Sequence, residues 1–324
     1  MIIVQTPLRI SLFGGGTDFP DYFLTEGGSV LSSAIDKYIY VIIKERFDDQ
    51  IRISYTVTEI VNHVDEIKHE LIREALKMTG ITKGVEIVTM GDIPAGTGLG
   101  SSSTVTVGAL HAFHTYCDQT VSNERLAREA CKIEVDILNK PIGYQDQFIA
   151  SYGGLRFFEF HQDGTVGHQT VEIDPEILNL LSSHLLLFYS GTTRKSETIL
   201  TEQKNNIYIN LTALSKLKDM ACEARNALIE GSLDEIGCLM HESWELKKSL
   251  AAGISNGELG KIYQTALKAG ALGGKVTGAG GGGFLMLYCP PDKREKVRTS
   301  LSHLKELPFH LEPNGSRVIY YLHQ

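Results

Sequence analysis

Pro94 to Thr104, PAGTGLGSSST, constrains this chain more than any other stretch of it. Gly96, Gly98 and Gly100 stand at alternate positions and run into Ser101, Ser102 and Ser103, with a helix-like apolar stretch behind them. Glycine adopts positive φ freely and lets a ligand lie against the backbone. A serine at a helix start can cap it, and the free N–H groups and positive dipole end there attract an anion. The expected product is a phosphate cradle, with hydroxyls beside it that can also reach a magnesium ion. A flexible turn before a helix is the plainer alternative. A Walker loop does not fit, because Gly100 holds the position of its lysine. The dinucleotide fingerprint fails too, because Ser101 stands where its third glycine belongs.

At 324 residues the chain is comfortable as two domains. A formal charge of −8 argues against a nucleic-acid or anionic-membrane partner, so any cationic site must be local. The opening MIIVQTPLRI carries no signal-peptide pattern, and no apolar run reaches the roughly 18 residues of a membrane span. Five cysteines without a CxxC pair suit reduced thiols in the cytoplasm. His111 and His114 are expected as helix residues rather than metal ligands.

Along the chain, strand candidates fall at 38–43, 84–89, 155–160, 184–189, 284–289 and 318–322. Helical spacing occupies 64–78, 103–117, 123–138, 195–230, 233–250, 257–269 and 291–304. Strands and helices mix without strict alternation, which indicates α+β architecture. The expected domains are 1–172 and 173–324.

Three more stretches carry chemistry. In PLRISLFGGGTDFPD, Arg9 lies on a strand that runs into Gly14, Gly15 and Gly16, followed by Thr17 and Asp18. Glycines without side chains let a ligand approach, and the hydroxyl and carboxylate suit a polyol, although such a turn alone is more often plain loop. In EVDILNKPIGYQDQ, Glu134 shares an apolar helical stripe with Ala127, Cys131 and Leu138. A carboxylate there is costly unless a cation or hydrogen-bond donors meet it, and snorkelling to solvent or pairing with a nearby arginine is the alternative reading. Asp146 follows a break at Pro141–Gly143, where a carboxylate can face a cleft. In KVTGAGGGG, Lys275 to Gly283, the glycines satisfy GxGxxG, but a strand follows instead of a helix, so this is a loop held against something.

Taken together, PLRISLFGGGTD, PAGTGLGSSST and KVTGAGGGG resemble, in order, the three motifs of the GHMP kinases, over residues 7 to 289. That resemblance implies a two-domain fold, with a ribosomal-S5-domain-2-like N-terminal domain and a ferredoxin-like C-terminal domain. It implies ATP bound by Pro94, Gly96, Gly98, Leu99, Gly100, Ser101, Ser102 and Ser103, and Mg²⁺ held by Ser102 and Glu134. Glu134 precedes an Asp-Gln pair by the family's twelve residues. Asp146 then accepts or orients the proton of the attacking hydroxyl, while Arg9 neutralises Asp146 and the transferring phosphoryl group. Gly15, Gly16, Thr17 and Asp18 would contact the sugar, with Gly280 and Gly281 of the third motif folded over it.

Galactokinases carry Gly-Glu-His-Thr-Asp where this chain has Gly14 to Asp18, which weighs against galactose. PLRISLFGGGTDFPDYF, SSAIDKYIYV and GYQDQFIASYGGL look like the D-glycero-D-manno-heptose phosphate kinases. These phosphorylate the anomeric hydroxyl of heptose 7-phosphate on the way to nucleotide-activated heptose. Arg194 and Lys195 in YSGTTRKS are the candidates for the sugar's own phosphate, or else a solvated pair at a helix start. The alternatives are a fucokinase-like or galactokinase-like enzyme and, more remotely, a non-catalytic sugar sensor. A small-molecule sugar phosphate is the expected partner, for a monomer or homodimer.

Overall fold

The computed structural model describes residues 1–191 and 196–322, so Arg194 and Lys195 lie outside the described residues. Strand β1 (Ile2–Phe13) alternates buried and half-buried side chains to Gln5, then buries every residue to Phe13. That change marks where helices begin to cover both faces of the sheet. After α1 (Pro20–Glu26), the 18-residue β2 (Gly28–Glu45) pairs antiparallel with β1 along most of its length. Their register shifts between Pro7 and Leu8, whose partners are Tyr38 and Ile35. The bulge twists the strand that goes on to the first glycine turn.

Next come β3 (Ile51–Ser54), β4 (Thr58–Val61), α2 (Glu70–Thr79), β5 (Val85–Gly91), α3 (Ser101–Tyr116), α4 (Asn123–Cys131), α5 (Gln145–Tyr152), β6 (Leu155–Phe160) and β7 (Val166–Thr170). The second half contains α6 (Pro175–His184), β8 (Leu185–Tyr189), α7 (Ser196–Asn205), α8 (Leu211–Glu230), α9 (Leu233–Lys248) and α10 (Gly257–Ala269). It closes with β9 (Gly273–Val276), β10 (Phe284–Tyr288), α11 (Arg294–Ser300), β11 (Lys305–Glu306) and β12 (Arg317–Tyr321).

An eight-stranded sheet runs β12-β1-β2-β5-β3-β4, with β6 and β7 continuing from the other half of β2. The four-stranded sheet has order β11-β8-β10-β9. Because β12 pairs with β1, the end of the described chain returns to the first sheet. Helix α3 lies on β1 and β2 with α2, α4 and α5 around it, and ten of its residues are buried. It is a central helix, apolar on most sides, and its amino end is aimed from the middle of the domain. Helix α8 packs on β1 and β2 and on α9, while α9 packs on β9, so these two helices join the sheets.

Three expectations change in detail. The helix expected over 195–230 is two helices, because the chain turns at 206–210, where Asn210 Nδ2 donates to the Leu250 carbonyl at 3.2 Å. The one expected over 64–78 is a short 3₁₀ turn, Val64–Glu66, then α2, whose start is capped by His69. The third glycine motif is not all loop, since Lys275 belongs to β9.

Candidate functional site

The glycine-serine loop joins β5 to α3. Gly100 (φ 78°) precedes the helix, and no side chain caps it. The expectation that Ser101 or Ser102 caps α3 is therefore corrected: both lie inside the first turn. The Ser102 hydroxyl donates instead to Glu134 Oε1 at 2.7 Å. That leaves the helix's first N–H groups without a side-chain cap, aimed where an anion is stabilised. The loop is fixed from below, where the Arg9 N–H donates to the Leu99 carbonyl at 3.1 Å. It is fixed from above by the third glycine motif. A Cβ on Gly98 (φ +83°) would lie 2.5 Å from the Thr277 carbonyl, and one on Gly278 would lie 2.8 Å from Gly98 Cα. The two motifs touch backbone to backbone, and a side chain at either position would part them.

Glu134 lies in a π-helical turn, Lys132–Ile137, that continues α4. Such turns distort a helix locally and recur at functional sites. Its carboxylate is fully buried, and Gln147 Nε2 donates to Oε2 at 2.8 Å. Burial raises its pKa, opposed by hydrogen bonds from Ser102, Ser103 and Gln147. No ion pair reaches it among the described residues, so the arginine alternative does not hold. A buried carboxylate, supported by hydroxyl and amide donors but lacking a cation, suits a metal that arrives with its ligand. Mg²⁺ keeps waters and phosphate oxygens and needs few protein ligands, so one carboxylate and one hydroxyl fit it.

Arg9 and Asp146, far apart in sequence, form a two-toothed ion pair. Arg9 Nε and Nη2 each donate to one Asp146 oxygen at 2.7 Å, and Nη1 donates to the Gly98 carbonyl at 2.6 Å. The arginine thus ties the carboxylate to the glycine-serine loop. Two cavities share these residues. A 620 Å³ cavity runs from the glycine-serine loop to Ile39, Tyr55, His69, Met90 and Ile93. A 70 Å³ cavity is lined by Ser11, Gly15, Gly16, Asp18, Gln145, Gln203 and Lys247. Arg9, Asp146 and Gly278 line both. The larger has the size and mixed lining of a nucleotide site, and the smaller is polar and enclosed by comparison.

Other expected site residues divide. Asp18 lines the small cavity, and its oxygens accept the Gly16 N–H at 2.9 Å and the Gln145 N–H at 3.2 Å. Burial nevertheless raises its pKa, helped by the nearby Asp146 charge. Thr17 lines neither cavity. It is buried in the turn, where its hydroxyl donates to the Gly14 carbonyl at 2.9 Å. Gly280 and Gly281 also stay outside both cavities, with the Gly281 N–H donating to the Ile254 carbonyl at 2.7 Å, so Gly278 and Ala279 present that loop. Leu99, expected at the nucleotide, lines neither cavity: it is buried, and its carbonyl accepts the Arg9 N–H. Pro94, Gly96, Gly98, Gly100, Ser101, Ser102 and Ser103 all line the large cavity.

Sequence reasoning gave no role to two lysines or to the aromatic wall of the large cavity. Lys247 ends a buried stripe on α9 through Met240, Ser243 and Trp244, and a lysine on such a stripe was the available signal. Lys275 is buried beneath the site, with Nζ donating to the Leu12 carbonyl at 3.2 Å. Desolvation, reinforced by the Lys247 and Arg9 charges, drives its pKa well down. Tyr55 and His69 sit edge to face at 4.7 Å in the large cavity and carried no motif that would have found them. His111 and His114 are hydrogen-bonded within the protein, to Ser316 and to Gln119 and Glu129.

Residues 62–154 match the GHMP kinases N terminal domain, and residues 224–306 match the GHMP kinases C terminal family. The chain belongs to the GHMP kinases, and it is a phosphotransferase that acts on an alcohol group. It is 31% identical over 314 residues to the D-glycero-alpha-D-manno-heptose 7-phosphate kinase of Campylobacter jejuni, covering 93% of each chain. The crystal structure of a D-glycero-D-manno-heptose 1-phosphate kinase from Bacteroides thetaiotaomicron superposes with a TM-score of 0.84 at 26% identity, over 100% of both chains. An L-fucokinase/L-fucose-1-P guanylyltransferase of Bacteroides fragilis is 28% identical over 340 residues, 92% of this chain and 36% of that one. No helix among the described residues is long and apolar enough to cross a membrane.

Proposed function

We propose that this protein is a cytoplasmic, ATP- and Mg²⁺-dependent kinase that phosphorylates the anomeric hydroxyl of D-glycero-D-manno-heptose 7-phosphate, within nucleotide-activated heptose synthesis. One observation carries the reading: a nucleotide-sized cavity and a small polar cavity share a wall at Arg9 and Asp146. Phosphoryl transfer needs its donor and acceptor to meet at one such point, with charge neutralised there. Similarity to the heptose 7-phosphate kinase over nearly the whole chain supports the substrate. Unpaired cysteines support a reducing compartment. The division into domains at 172/173 is likewise our proposal.

In this reading the loop from Pro94 to Ser103 cradles the triphosphate. Ser102 and Glu134 would hold Mg²⁺, which supplies charge neutralisation of the phosphates when bound. A carboxylate has about four acceptor positions, so Asp146 keeps lone pairs for the sugar while Arg9 occupies the others. Asp146 accepts or orients the acceptor's proton, and Arg9 stabilises charge developing on the transferred group. Asp18 anchors the sugar within the small cavity. We assign Arg194 and Lys195 to the sugar's own phosphate on sequence alone. Having the acidic groups and the serine together argues against a sugar sensor, which needs neither.

Measuring ADP release with heptose 7-phosphate beside L-fucose and D-galactose tests the substrate. Heptose 7-phosphate should give the highest kcat/KM. Faster turnover of L-fucose would replace this reading by the fucokinase-like one, which the fucokinase similarity favours.

A further inference from the structure

Lys247 is an unusual group for its surroundings. It lies in the last turn of α9, is only 6% exposed, and lines the small cavity. Among the described residues it makes one hydrogen bond, from Nζ to the Gly278 carbonyl at 2.9 Å, and no ion pair. An ammonium has three donors, so its others are uncommitted. Two more polar atoms in the same cavity have no partner among the described residues: Ser11 Oγ, on a residue 4% exposed, and Gln145 Oε1.

These groups converge on one point. A Cβ built on Gly15 would lie 3.2 Å from Ser11 Oγ, 3.5 Å from Gln145 Nε2 and 3.8 Å from Lys247 Nζ. Gly15 therefore clears a small space that a hydroxyl, an amide and an ammonium all face. Buried polar atoms are normally paired, and unpaired ones in a cavity are where a polar ligand supplies the missing partner. A hydroxyl, an amide and an ammonium that share the cavity with the Asp18 and Asp146 carboxylates match a sugar's adjacent hydroxyls better than they match phosphate, because the two carboxylates repel an anion.

We propose that Lys247, with Ser11 and Gln145, binds the acceptor sugar's ring hydroxyls next to the hydroxyl that Asp146 faces, and so sets specificity for the acceptor. The assignment rests on reading the small cavity as the acceptor side. Through Gly278, which abuts Gly98, the same lysine ties acceptor binding to the loop over the nucleotide.

The test uses whichever of heptose 7-phosphate, L-fucose and D-galactose the wild-type enzyme phosphorylates best, so a wrong heptose assignment changes the probe and leaves the comparison intact. Lys247→Met should raise KM for that sugar at least about tenfold, with KM for ATP within about twofold; Ser11→Ala should raise the sugar KM by a smaller factor. Calorimetric titration of the sugar into each variant should show the same loss without turnover. Unchanged sugar affinity in both variants, or a loss confined to ATP, overturns the proposal, as does failure of the wild-type protein to bind any of the three sugars. Should Lys247→Met not fold, Ser11→Ala and Gln145→Leu decide the outcome alone.

Discussion

The Arg9 guanidinium grips both carboxylate oxygens of Asp146 at 2.7 Å while its third nitrogen holds the Gly98 carbonyl at 2.6 Å. One buried side chain thereby joins the opening strand, the carboxylate shared by the two cavities and the glycine-serine loop. Paired, hydrogen-bonded charges of this kind are costly to break one partner at a time.

Asp146→Asn keeps the shape and removes the charge. It should lower kcat by roughly 10²–10⁴ while ATP binding, measured by calorimetry, changes little. Wild-type-like turnover would remove Asp146 from the chemistry.

Glu134→Gln should separate function from stability. Because burial raises the folded pKa of Glu134, its stability contribution is full below its ordinary value of 4.5 and is lost as pH rises through the folded value. The buried carboxyl therefore costs stability as pH rises above 4.5, and at neutral pH the glutamine variant should melt at the same temperature or higher in the presence of EDTA. Its Mg²⁺ concentration for half-maximal rate should rise at least about tenfold. An unchanged Mg²⁺ requirement would discard Glu134 as a ligand.

Lys247 should show in the pH profile. Burial lowers its pKa from 10.5 to about 8; Asp18 and Asp146 face it and raise the value, and Arg9 lowers it. Lys275, from β9, adds a further facing amine. The ammonium is present below about 8 and lost above it, so kcat/KM for the sugar should fall about tenfold per pH unit above that point. Lys247→Arg, charged throughout, should abolish that limb. The same limb in the arginine variant would assign it to another group.

Gly98→Ala tests the contact between the two glycine motifs. Its φ of +83° and the 2.5 Å approach of the Thr277 carbonyl leave no room for a methyl group. Thermal unfolding should show a loss of about 1–3 kcal/mol, and KM for ATP should rise. A variant with unaltered melting and unaltered KM would mean that the motifs do not brace each other.

Much of the site was legible because it is local. Positive φ at Gly96, Gly98 and Gly100 is a demand that only glycine meets cheaply, so it leaves a mark in the residues themselves. Glu134 and Asp146, twelve positions apart, likewise lie at the end of one helical segment and, past a break, in the first turn of the next. Thr17 read as a ligand for the same reason, since a hydroxyl after glycines looks alike whether it faces a cavity or closes the turn beneath it.

Local strand and helix preferences, the glycine turns and the candidate acids were all determined by the sequence, because each depends on neighbours in the chain. Tertiary structure alone decided that Arg9 reaches Asp146, that Ser102 turns from capping its helix to Glu134, and that Lys247 closes the small cavity from the second half of the chain. Those meetings depend on how α3, α8 and α9 bury their apolar faces against the sheets. Burial favours any close-packed apolar contact, so it leaves no residue-level sign of which polar groups it will bring together.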